Sequence, residues 1–300
     1  MPRISIVIAT YNRARQLIGA LESLVQQDLP ACEWECVVVD NNSMDDTQKL
    51  FAEFVQKHQD FNLRIVCEQQ QGLSYARNRG IDESRGDIVA IIDDDELVNQ
   101  SFARAYLNLF DDNAEAVAAG GKVVPRYQPG RPAWLSHFTE VPIANPTDWG
   151  AEICLFPKGK IPAGGNMAFR REILLKYGGF DTSLGRVGGK LTGGEESDLF
   201  ERLAADGVEF WFVPDAVIYH IIGAEKLTPE YFKRLSYNTG VSQRRRAELH
   251  NRVGKLLVGE LVKWCVTLVF ALGYTLALRP SKGWWLLKMR YYITRGISEY

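Results

Sequence analysis

The feature that most constrains the fold is a short apolar run that ends in a block of acidic residues. Residues 88–92 are Ile, Val, Ala, Ile and Ile, and residues 93–96 are Asp, Asp, Asp and Glu. Such a β-branched run is typical of a strand buried on both faces, as in parallel sheets. In an open α/β sheet the ligand crevice lies beyond the carboxyl ends of the strands, so the acids need not enter the core. The pattern predicts an α/β sheet with carboxylates at its binding edge.

A carboxylate cluster of this kind suits a hard divalent cation. Mg²⁺ and Mn²⁺ prefer oxygen ligands, usually one or two carboxylates, with phosphate oxygens in the remaining positions. Residues 93–96 could equally form a solvated acidic turn, because a short motif is only a hypothesis without its context. The rest of the sequence has to decide between a metal-bridged diphosphate and a turn.

Strand and helix patterns alternate along the first hundred residues. Apolar strands are predicted at 4–9, 36–40 and 63–67, and a helix pattern follows each of them. This alternation is typical of a parallel sheet with right-handed crossovers. The loop at residues 10–13 is Thr, Tyr, Asn and Arg, and it lacks the Gly-x-Gly-x-x-Gly of a dinucleotide-binding Rossmann unit. Hydride transfer is therefore disfavoured.

Composition limits the class of protein. The chain has 300 residues, of which 46% are hydrophobic and 24% charged, enough for one large domain or two coupled ones. Its five cysteines are odd in number and lack Cys-x-x-Cys spacing, which argues against a disulfide framework or a zinc knuckle and favours a reducing compartment. The sequence enters a strand pattern at Ile4 without a signal-peptide pattern, so we expect the body of the protein not to be exported.

Four motifs follow one another in the order expected for one known family. They are ISIVIATYNR at 4–13, VDNNS at 39–43, GLSYARNRG at 72–80 and IDDD at 92–95. Together they resemble the nucleotide-sugar half of family-two glycosyltransferases, of the bacterial exopolysaccharide and cell-surface glycan type. The resemblance implies the GT-A fold, inversion at the anomeric carbon, an Mn²⁺ or Mg²⁺ cofactor and a nucleoside-diphosphate sugar, with UDP as the expected nucleotide.

The resemblance also implies roles for individual residues near the donor. In the family, the acid that ends the second strand contacts the base, an Arg-Asn pair lies near base or phosphate, and the Asp-x-Asp motif holds ribose and metal. The matching donor-binding residues are Thr10, Tyr11, Asn12, Arg13, Asp40, Arg77, Asn78, Asp93 and Asp94. Asp93 and Asp95 match the metal ligands. Asp40 could instead cap the following helix, and Arg77 could be a solvated helix charge.

Two later stretches are matched by the same resemblance. Residues 161–170 resemble the glycine-rich segment of the family, in which Gly165 and Asn166 would approach sugar or phosphate. His220 matches a position where several members carry a histidine near the metal, which makes it a third candidate ligand. The alternatives are a tight turn at the glycines and a structural histidine.

The candidate general base lies in an acidic helix start. The family usually has Glu-Asp at this place, and its second acid takes the proton of the acceptor hydroxyl; the matching residue here is Glu196. Glu in place of Asp leaves Glu195 and Asp198 as further candidates. Helix capping and the helix dipole could explain these acids without any chemistry. We expect the preceding glycine-dense run, residues 185–194, to be a mobile loop, and residues 125–149 to form a long loop over the site.

Charge divides the chain into two parts. Residues 226–300 contain 14 Lys and Arg and 4 Glu, a net charge of +10, whereas the first 225 residues carry −12. The acidic part would repel nucleic acid, and the basic part, with its Trp and Tyr, could face anionic lipid. The uncharged run 264–278 is short for a bilayer span unless Glu260 and Lys263 pair, so we expect attachment to the membrane surface. A helical hairpin packed on the body or on a second subunit is the alternative.

The patterns together predict an α/β protein of the GT-A fold with a helical, membrane-associated extension. Residues 1–225 would form the catalytic domain, with a nucleotide-sugar half at 1–124 and an acceptor half at 125–225, and residues 226–300 the extension. The expected partners are a nucleotide-sugar donor, a lipid-linked or glycan acceptor and the cytoplasmic face of the inner membrane, with no nucleic acid. A soluble cytoplasmic location and a homo-oligomer stay open.

Two other functions also stay open. A nucleotide-sugar pyrophosphorylase would share the sheet and the metal, but it usually has a glycine-rich loop where residues 10–13 lie. A non-catalytic sugar-nucleotide-binding module would keep the fold without the chemistry, and the presence of Asp93, Asp95 and Glu196 together weighs against it.

Overall fold

The computed structural model describes residues 1–128, 130–189 and 191–299, which form two compact units. The first unit comprises Met1–Val124, Thr147–Ser183 and Glu195–Ile221, and the second comprises Pro125–Pro146, Leu184–Gly194 and Ile222–Tyr300. The chain last enters the second unit at residue 222, close to the predicted division at 225, but two segments predicted for the acceptor half also belong to that unit. Lys190, in the glycine-dense run 185–194 that was predicted to be a mobile loop, lies outside the described residues.

A mixed sheet forms the centre of the first unit. Among the described residues its strands are β1 (Ile4–Thr10), β2 (Trp34–Asp40), β3 (Leu63–Cys67), β4 (Ile88–Asp93), β5 (Glu96–Val98), β6 (Ala118–Tyr127), β7 (Cys154–Leu155), β8 (Met167–Arg170) and β9 (Trp211–Ile222). They lie in the order β3-β2-β1-β4-β8-β6-β9-β5, with β7 beside β9. The first four strands of this order are parallel, and β8 is antiparallel to β4. The predicted α/β fold with a mainly parallel nucleotide-binding sheet is confirmed.

Helices cover both faces of this sheet. They are α1 (Ala14–Leu24), α2 (Thr47–Lys57), α3 (Leu73–Glu83), α4 (Phe102–Asp112), α6 (Arg171–Lys176) and α7 (Glu195–Ala205). Successive residues of β1 alternate between two cores: Ile6 packs in the cluster that includes Leu17 of α1, and Val7 in the cluster that includes Leu199 of α7. Because each strand residue is buried on one face or the other, this position favours a run of mostly apolar, β-branched residues.

Two parts of the first unit differ from the sequence-based expectation. The sequence predicts two short strands, at 209–213 and 216–220, but the structure has one strand here, β9 (Trp211–Ile222). Pro214 falls between the residues that pair with β7 and those that pair with β5, so its missing N–H does not interrupt either ladder. The three-residue β5 was not predicted, because it follows the acidic run directly and is too short to show a period.

The second unit is helical. It contains α5 (His137–Ala144), a 3₁₀ turn (Ala224–Leu227), α8 (Pro229–Leu249), α9 (Val253–Leu276) and α10 (Pro280–Ser298). Its core includes Phe232 of α8 and Leu286 and Met289 of α10. The helix α5 lies within the predicted long loop 125–149; Ser136 caps it through a capping box with Thr139, a form less easily found in sequence than Ser-x-x-Glu.

Candidate active site

The predicted crevice residues meet at the carboxyl ends of the parallel strands. In the sheet register, Thr10 at the end of β1 lies beside Asp40 at the end of β2, and Ala9 lies beside Asp93 at the end of β4. The carboxyl ends of three adjacent strands therefore bring together the motifs that are 30 and 50 residues apart in the sequence.

Arg13 connects the loop after β1 to the acidic run. Its Nη1 donates to Asp94 Oδ1 at 3.0 Å and to Asp95 Oδ2 at 2.8 Å, and Thr10 Oγ1 donates to Asp94 Oδ2 at 2.8 Å. Burial raises the pKa of Asp94 to about 6, although Arg13 opposes the shift. Burial disfavours the charge of Arg13 as well, but the carboxylates of Asp94 and Asp95 outweigh it and raise the pKa of Arg13. Asp94 thus anchors the loop from within the site.

Arg77 connects the acidic run to α7. Its Nη2 donates to Asp93 Oδ1 at 2.9 Å and to the carbonyl oxygen of Gly164 at 3.1 Å, and its Nη1 donates to Glu195 Oε1 at 2.9 Å. The guanidinium lies 5.5 Å from the ring centroid of Phe180. Its side chain is only 2% exposed, so the alternative of a solvated helix charge is wrong. Burial opposes the charge, but Asp93 and Glu195 outweigh it and raise the pKa of Arg77.

The three acids at the start of α7 have different surroundings. Glu195 is buried, and burial together with the neighbouring Glu196 carboxylate raises its pKa to about 8, against the effect of Arg77. Asp198 is buried and accepts a hydrogen bond of 2.9 Å from Nε of Arg202. Glu196 is half-buried. It is thus the acid of the three that combines partial exposure with a position beside the glycine-rich segment, where a Cβ on Gly164 would lie 3.4 Å from its carboxyl carbon.

Two of the candidate metal ligands, Asp93 and Asp95, belong to the acidic run, and the third, His220, lies beside Asp95. His220 of β9 pairs with Glu96 of β5 in the sheet, which places its Nε2 3.7 Å from Asp95 Oδ1. The side chain of Asp93 is 40% exposed, the most open of the three candidates. Within residues 1–128, 130–189 and 191–299, no three His, Cys, Asp or Glu side chains are arranged as a metal-binding group.

Asp40 and Asn12 organise the loops on the donor side. Asp40 Oδ1 accepts from the backbone N–H of Ser43 at 2.9 Å, and its other oxygen accepts from Nε2 of Gln48. Asn12 has a φ of 54° and accepts from the N–H of Met44 at 2.6 Å. Tyr11, next to it, is half-buried. Asp40 therefore closes the turn before α2, whose N-cap residue is Asp46, so it does not cap the helix; its contact with a base stays a prediction.

The side chains of Asn166, in the glycine-rich segment, and of Asn78 make hydrogen bonds to other protein groups. Asn166 is completely buried; its Nδ2 donates to the carbonyl oxygens of Lys122 and Ala216, and its Oδ1 accepts from the Tyr106 hydroxyl. Its side chain is therefore not available to a nucleotide sugar. The prediction that this side chain contacts sugar or phosphate is wrong. The amide of Asn78 makes two hydrogen bonds of 2.8 Å with the backbone of Phe180.

Three residues of the site were not predicted from the sequence. Glu96 is buried, and its Oε2 accepts from the N–H of Asp93 at 2.9 Å. A Cβ at Gly165 would lie 2.3 Å from both Glu96 oxygens, so the carboxylate occupies the space that a side chain at this position would need; the contact of Gly165 with a ligand stays a prediction. Gly164 and Phe180 hold Arg77, as described above. The signals that could have found them are the fourth acid of the run and the aromatic residue after the glycine pair 178–179.

Comparisons with known proteins identify the family. Residues 5–178 match the model of Glycosyl transferase family 2. The chain is 28% identical over 209 residues to the glucosyl-dolichyl phosphate glucuronosyltransferase of Haloferax volcanii, an alignment that covers 67% of this chain and 63% of that protein. It is 26% identical over 240 residues to the succinoglycan biosynthesis protein ExoM of Rhizobium meliloti, covering 79% of this chain and 72% of ExoM. The chain thus spans less than two thirds of the Haloferax relative.

Solved structures show the same fold. The mannosyltransferase PcManGT from Pyrobaculum calidifontis, in complex with GDP-Man and Mn²⁺, superposes with a TM-score of 0.67 at 21% identity, over 99% of this chain and 86% of that chain. TarS residues 1–349 from S. aureus, in complex with UDP-GlcNAc, superpose with a TM-score of 0.53 at 19% identity, over 81% of this chain and 66% of that chain. At these identities the likeness concerns the fold, which is the predicted GT-A fold.

Proposed function

The chain belongs to glycosyl transferase family 2, and on this basis we propose that it transfers a sugar from a nucleoside-diphosphate sugar to a hydroxyl group of an acceptor. The observation that carries the proposal is the position of Arg77. It joins a partly exposed crevice carboxylate, Asp93, to the acidic start of α7 at Glu195 through two ion pairs of 2.9 Å. A donor-side carboxylate and a candidate base segment are thereby held at a fixed separation, which a two-substrate reaction needs.

Asp93, Asp95 and His220 are the proposed ligands of a divalent cation on the donor side; among the described residues they are not arranged as a metal-binding group, so the nucleotide diphosphate would have to complete the site. The donor set of two carboxylates and an imidazole suits Mn²⁺ and also admits Mg²⁺, and a cation bound to a nucleotide takes its other ligands from phosphate and water. Asp95 and His220 are already neighbours, 3.7 Å apart, and the open Asp93 lies at the end of β4, two residues before Asp95. When bound, the cation would neutralise charge on the diphosphate leaving group.

Glu196 is the proposed general base. Inversion requires a carboxylate that takes the acceptor proton on the face opposite the leaving group. Glu195 is held by Arg77 and Asp198 by Arg202, and both are buried, whereas Glu196 is half-buried beside Gly164. Glu195 would then act as a positioning residue, because it fixes the start of α7 to the acidic run through Arg77.

The proposed acceptor is a lipid-linked or glycan hydroxyl at the membrane surface. One relative is named for a dolichyl phosphate substrate and another for succinoglycan biosynthesis. The helix α9 of the second unit is long and apolar enough to cross a membrane, judged by length and composition. These observations support the proposal for the acceptor class and for a location at the cytoplasmic face of the membrane.

Nucleotide binding is the first test of this function. We expect UDP or GDP to raise the Tm of the full chain in the presence of Mn²⁺ and much less in its absence; a ligand at 100 times its Kd stabilises by about 2.7 kcal/mol. Slow hydrolysis of the matching nucleotide sugar would separate an enzyme from a binding module. If neither nucleotide changes the Tm, or if the chain instead makes a nucleotide sugar from a nucleoside triphosphate and a sugar phosphate, the proposal fails.

The base assignment has its own test. We expect Glu196→Gln to lower transfer by about 10²- to 10⁴-fold, the usual contribution of general-base assistance, while the nucleotide still raises the Tm. Asp198→Asn is the matched control, because Asp198 is two residues away and serves an ion pair with Arg202. Normal transfer by Glu196→Gln together with loss of transfer in Asp198→Asn would assign the base to Asp198.

A further inference from the structure

The helix α9 exposes many large apolar residues and buries two polar ones, Glu260 and Thr267. Its large apolar residues that are at least 43% exposed are Leu257, Val258, Leu261, Val262, Val266, Leu268, Val269, Phe270, Leu272 and Leu276. Its buried residues are Glu260, Thr267 and Ala271. A helix of a water-soluble unit has the opposite arrangement, with its apolar stripe toward the core. An exposed apolar surface of this size marks an interaction site.

The buried polar residues of α9 form a seam with α10. Glu260 accepts from Nη1 of Arg290 at 3.0 and 3.2 Å and from Oγ1 of Thr294 at 2.7 Å. Trp264 Nε1 donates to the same hydroxyl at 2.8 Å. Further along, Gly283 of α10 lies against the backbone of α9, where a Cβ would be 2.8 Å from the carbonyl oxygen of Ala271. The two helices are therefore an antiparallel hairpin held along most of its length, with the Glu260–Arg290 ion pair between them.

Lipid fits this surface better than a second copy of the chain. Exposed residues occur at nearly every position from 261 to 273, so they lie around most of the helix, whereas a protein partner would cover one side. Residues 250–299 contain eight Lys and Arg and two Glu, and one of these acids is the buried Glu260. In a symmetric pair, two such basic surfaces would face each other, but an anionic membrane complements them.

We propose that α9 embeds in one leaflet of an anionic bilayer and lies along it without crossing. At 24 residues, α9 is about 36 Å long, enough to cross a hydrocarbon core of about 30 Å. However, α10 is bound along α9 and would have to cross with it, which would carry Lys288 and Arg290 into the hydrocarbon and Arg279 and Lys282 to the far side. Charges in the bilayer interior are costly.

Lying along the leaflet removes this conflict. The cations of α10 and of the turn before it can stay at headgroup depth while the exposed apolar surface of α9 enters the acyl chains. Trp284 and Tyr291 of α10 are 58% and 51% exposed, and such side chains are favoured at this depth. The inference makes specific the membrane location proposed above, but it concerns the second unit alone, so vesicle binding and glycosyl transfer can fail independently.

Cys265 provides a reporter on the exposed surface of α9. It is an exposed free thiol, and Cys32 and Cys67 are exposed as well. For the test, Cys32 and Cys67 are replaced by Ser in the full chain. We expect a membrane-impermeant maleimide to label Cys265 at least tenfold more slowly with phosphatidylglycerol vesicles than with phosphatidylcholine vesicles or with none. An equal rate in all three samples would overturn the proposal, and so would protection without vesicles that grows with protein concentration, since a second copy would then cover α9.

A thiol at the turn of the hairpin distinguishes lying from crossing. Ser281 is exposed at the start of α10, and Ser281→Cys, with Cys32, Cys67 and Cys265 replaced by Ser, is a near-isosteric change. If α9 lies along the outer leaflet, reagent added outside sealed vesicles labels this thiol and reagent enclosed in them does not. Labelling by the enclosed reagent alone would mean that the hairpin crosses, contrary to the proposal.

A pair of variants links vesicle binding to the apolar surface. Val262 and Val269 are 59% and 70% exposed, so changing them should not disturb the seam. We expect Val262→Asp with Val269→Asp to weaken binding to phosphatidylglycerol vesicles more than tenfold with little change in Tm, and Val262→Ala with Val269→Ala, the matched control, to weaken it much less. Equal binding of the two variants would show that α9 does not enter the lipid.

Discussion

The single buried guanidinium of Arg77 holds several parts of the site together. It is bonded to Asp93 and Glu195, and each of these contacts belongs to a different part of the proposed reaction. Removing one partner of a buried ion pair typically costs about 3–5 kcal/mol, because the other charge stays uncompensated. One oxygen of Glu195, Oε2, is buried without a hydrogen-bond partner among the described residues. This atom is where a proton on Glu195 would lie.

The raised pKa of Glu195 predicts a pH dependence of stability. Burial and the charge of Glu196 raise this pKa from 4.5 to about 8 in the folded chain. Since the folded state then binds the proton more tightly than the unfolded state, the contribution is fully present below about pH 4.5 and is lost as the pH rises through about 8. Glu195→Gln cannot ionise, so it does not lose this contribution. We therefore expect the Tm of the variant minus that of the parent chain to increase as the pH rises from 5 to 8.5. Parallel profiles would show that Arg77 keeps Glu195 ionised throughout.

Asp95 is the residue at which the proposed metal can be tested most directly. It lies at the crevice end of the sheet, where it contacts Arg13 and His220. We expect Asp95→Asn to abolish turnover and the Mn²⁺-dependent stabilisation by nucleotide while the chain still folds, because a ligand to the cation is lost but the core is unchanged. Asp206→Asn, at an exposed aspartate bonded to Tyr177, is the control. Turnover by Asp95→Asn, or full activity in excess chelator, would exclude the metal-dependent mechanism.

The elements differ in how far the sequence predicts them. The strands β1, β2 and β4 are predictable because they are buried on both faces and therefore consist mostly of apolar residues. The antiparallel strands β5 and β7 have three and two residues, too few for any period to appear. They exist because β9 passes beside them, and that pairing depends on the tertiary structure.

The same distinction applies to the site. The carboxylates of Asp93 and Asp95 are predictable because a strand end fixes their place in an α/β sheet. The partners of Asn166 are not, since Tyr106, Lys122 and Ala216 come from three other elements. Sequence spacing shows where the backbone can go, and the hydrogen-bond partners of a buried amide depend on packing that spacing does not contain.

At the crossing of α8 and α10, two glycines determine how closely the helices pack. A Cβ on Gly240 would lie 2.0 Å from the carbonyl oxygen of Ile293, and one on Gly296 would lie 2.0 Å from that of Tyr237. We expect Gly240→Ala to lower the free energy of unfolding by about 1–3 kcal/mol, as overpacking usually does. In Gly259→Ala on α9, the added Cβ meets nothing within 4 Å, so the better helix propensity of Ala should raise stability by up to about 1 kcal/mol. Urea unfolding of both variants measures the difference, and a similar effect of the two would contradict close packing at this crossing.

Over the whole molecule, the net charge of −2 results from two opposite parts. The +10 of residues 226–300 lies in the unit that also exposes the apolar surface of α9, and the −12 of the first 225 residues includes the crevice acids. An anionic substrate therefore depends on local cations such as Arg13, Arg77 or a bound metal, since the average charge of that part opposes it. An anionic surface is attracted by the second part.

This separation predicts how salt affects membrane binding by the full chain. Each Lys or Arg near an anionic surface contributes about 1 kcal/mol, and salt screens the attraction because the Debye length falls from about 10 Å at 0.1 M to about 3 Å at 1 M. We expect the chain to sediment with phosphatidylglycerol vesicles at low salt, and the bound fraction to fall, without reaching zero, at high salt, because burial of α9 is not screened. Lys255→Gln with Lys263→Gln, at two exposed lysines of α9, should lower the low-salt fraction and leave the high-salt fraction unchanged. Binding that is equal on phosphatidylcholine vesicles, or independent of salt, would show that the basic residues do not act on lipid.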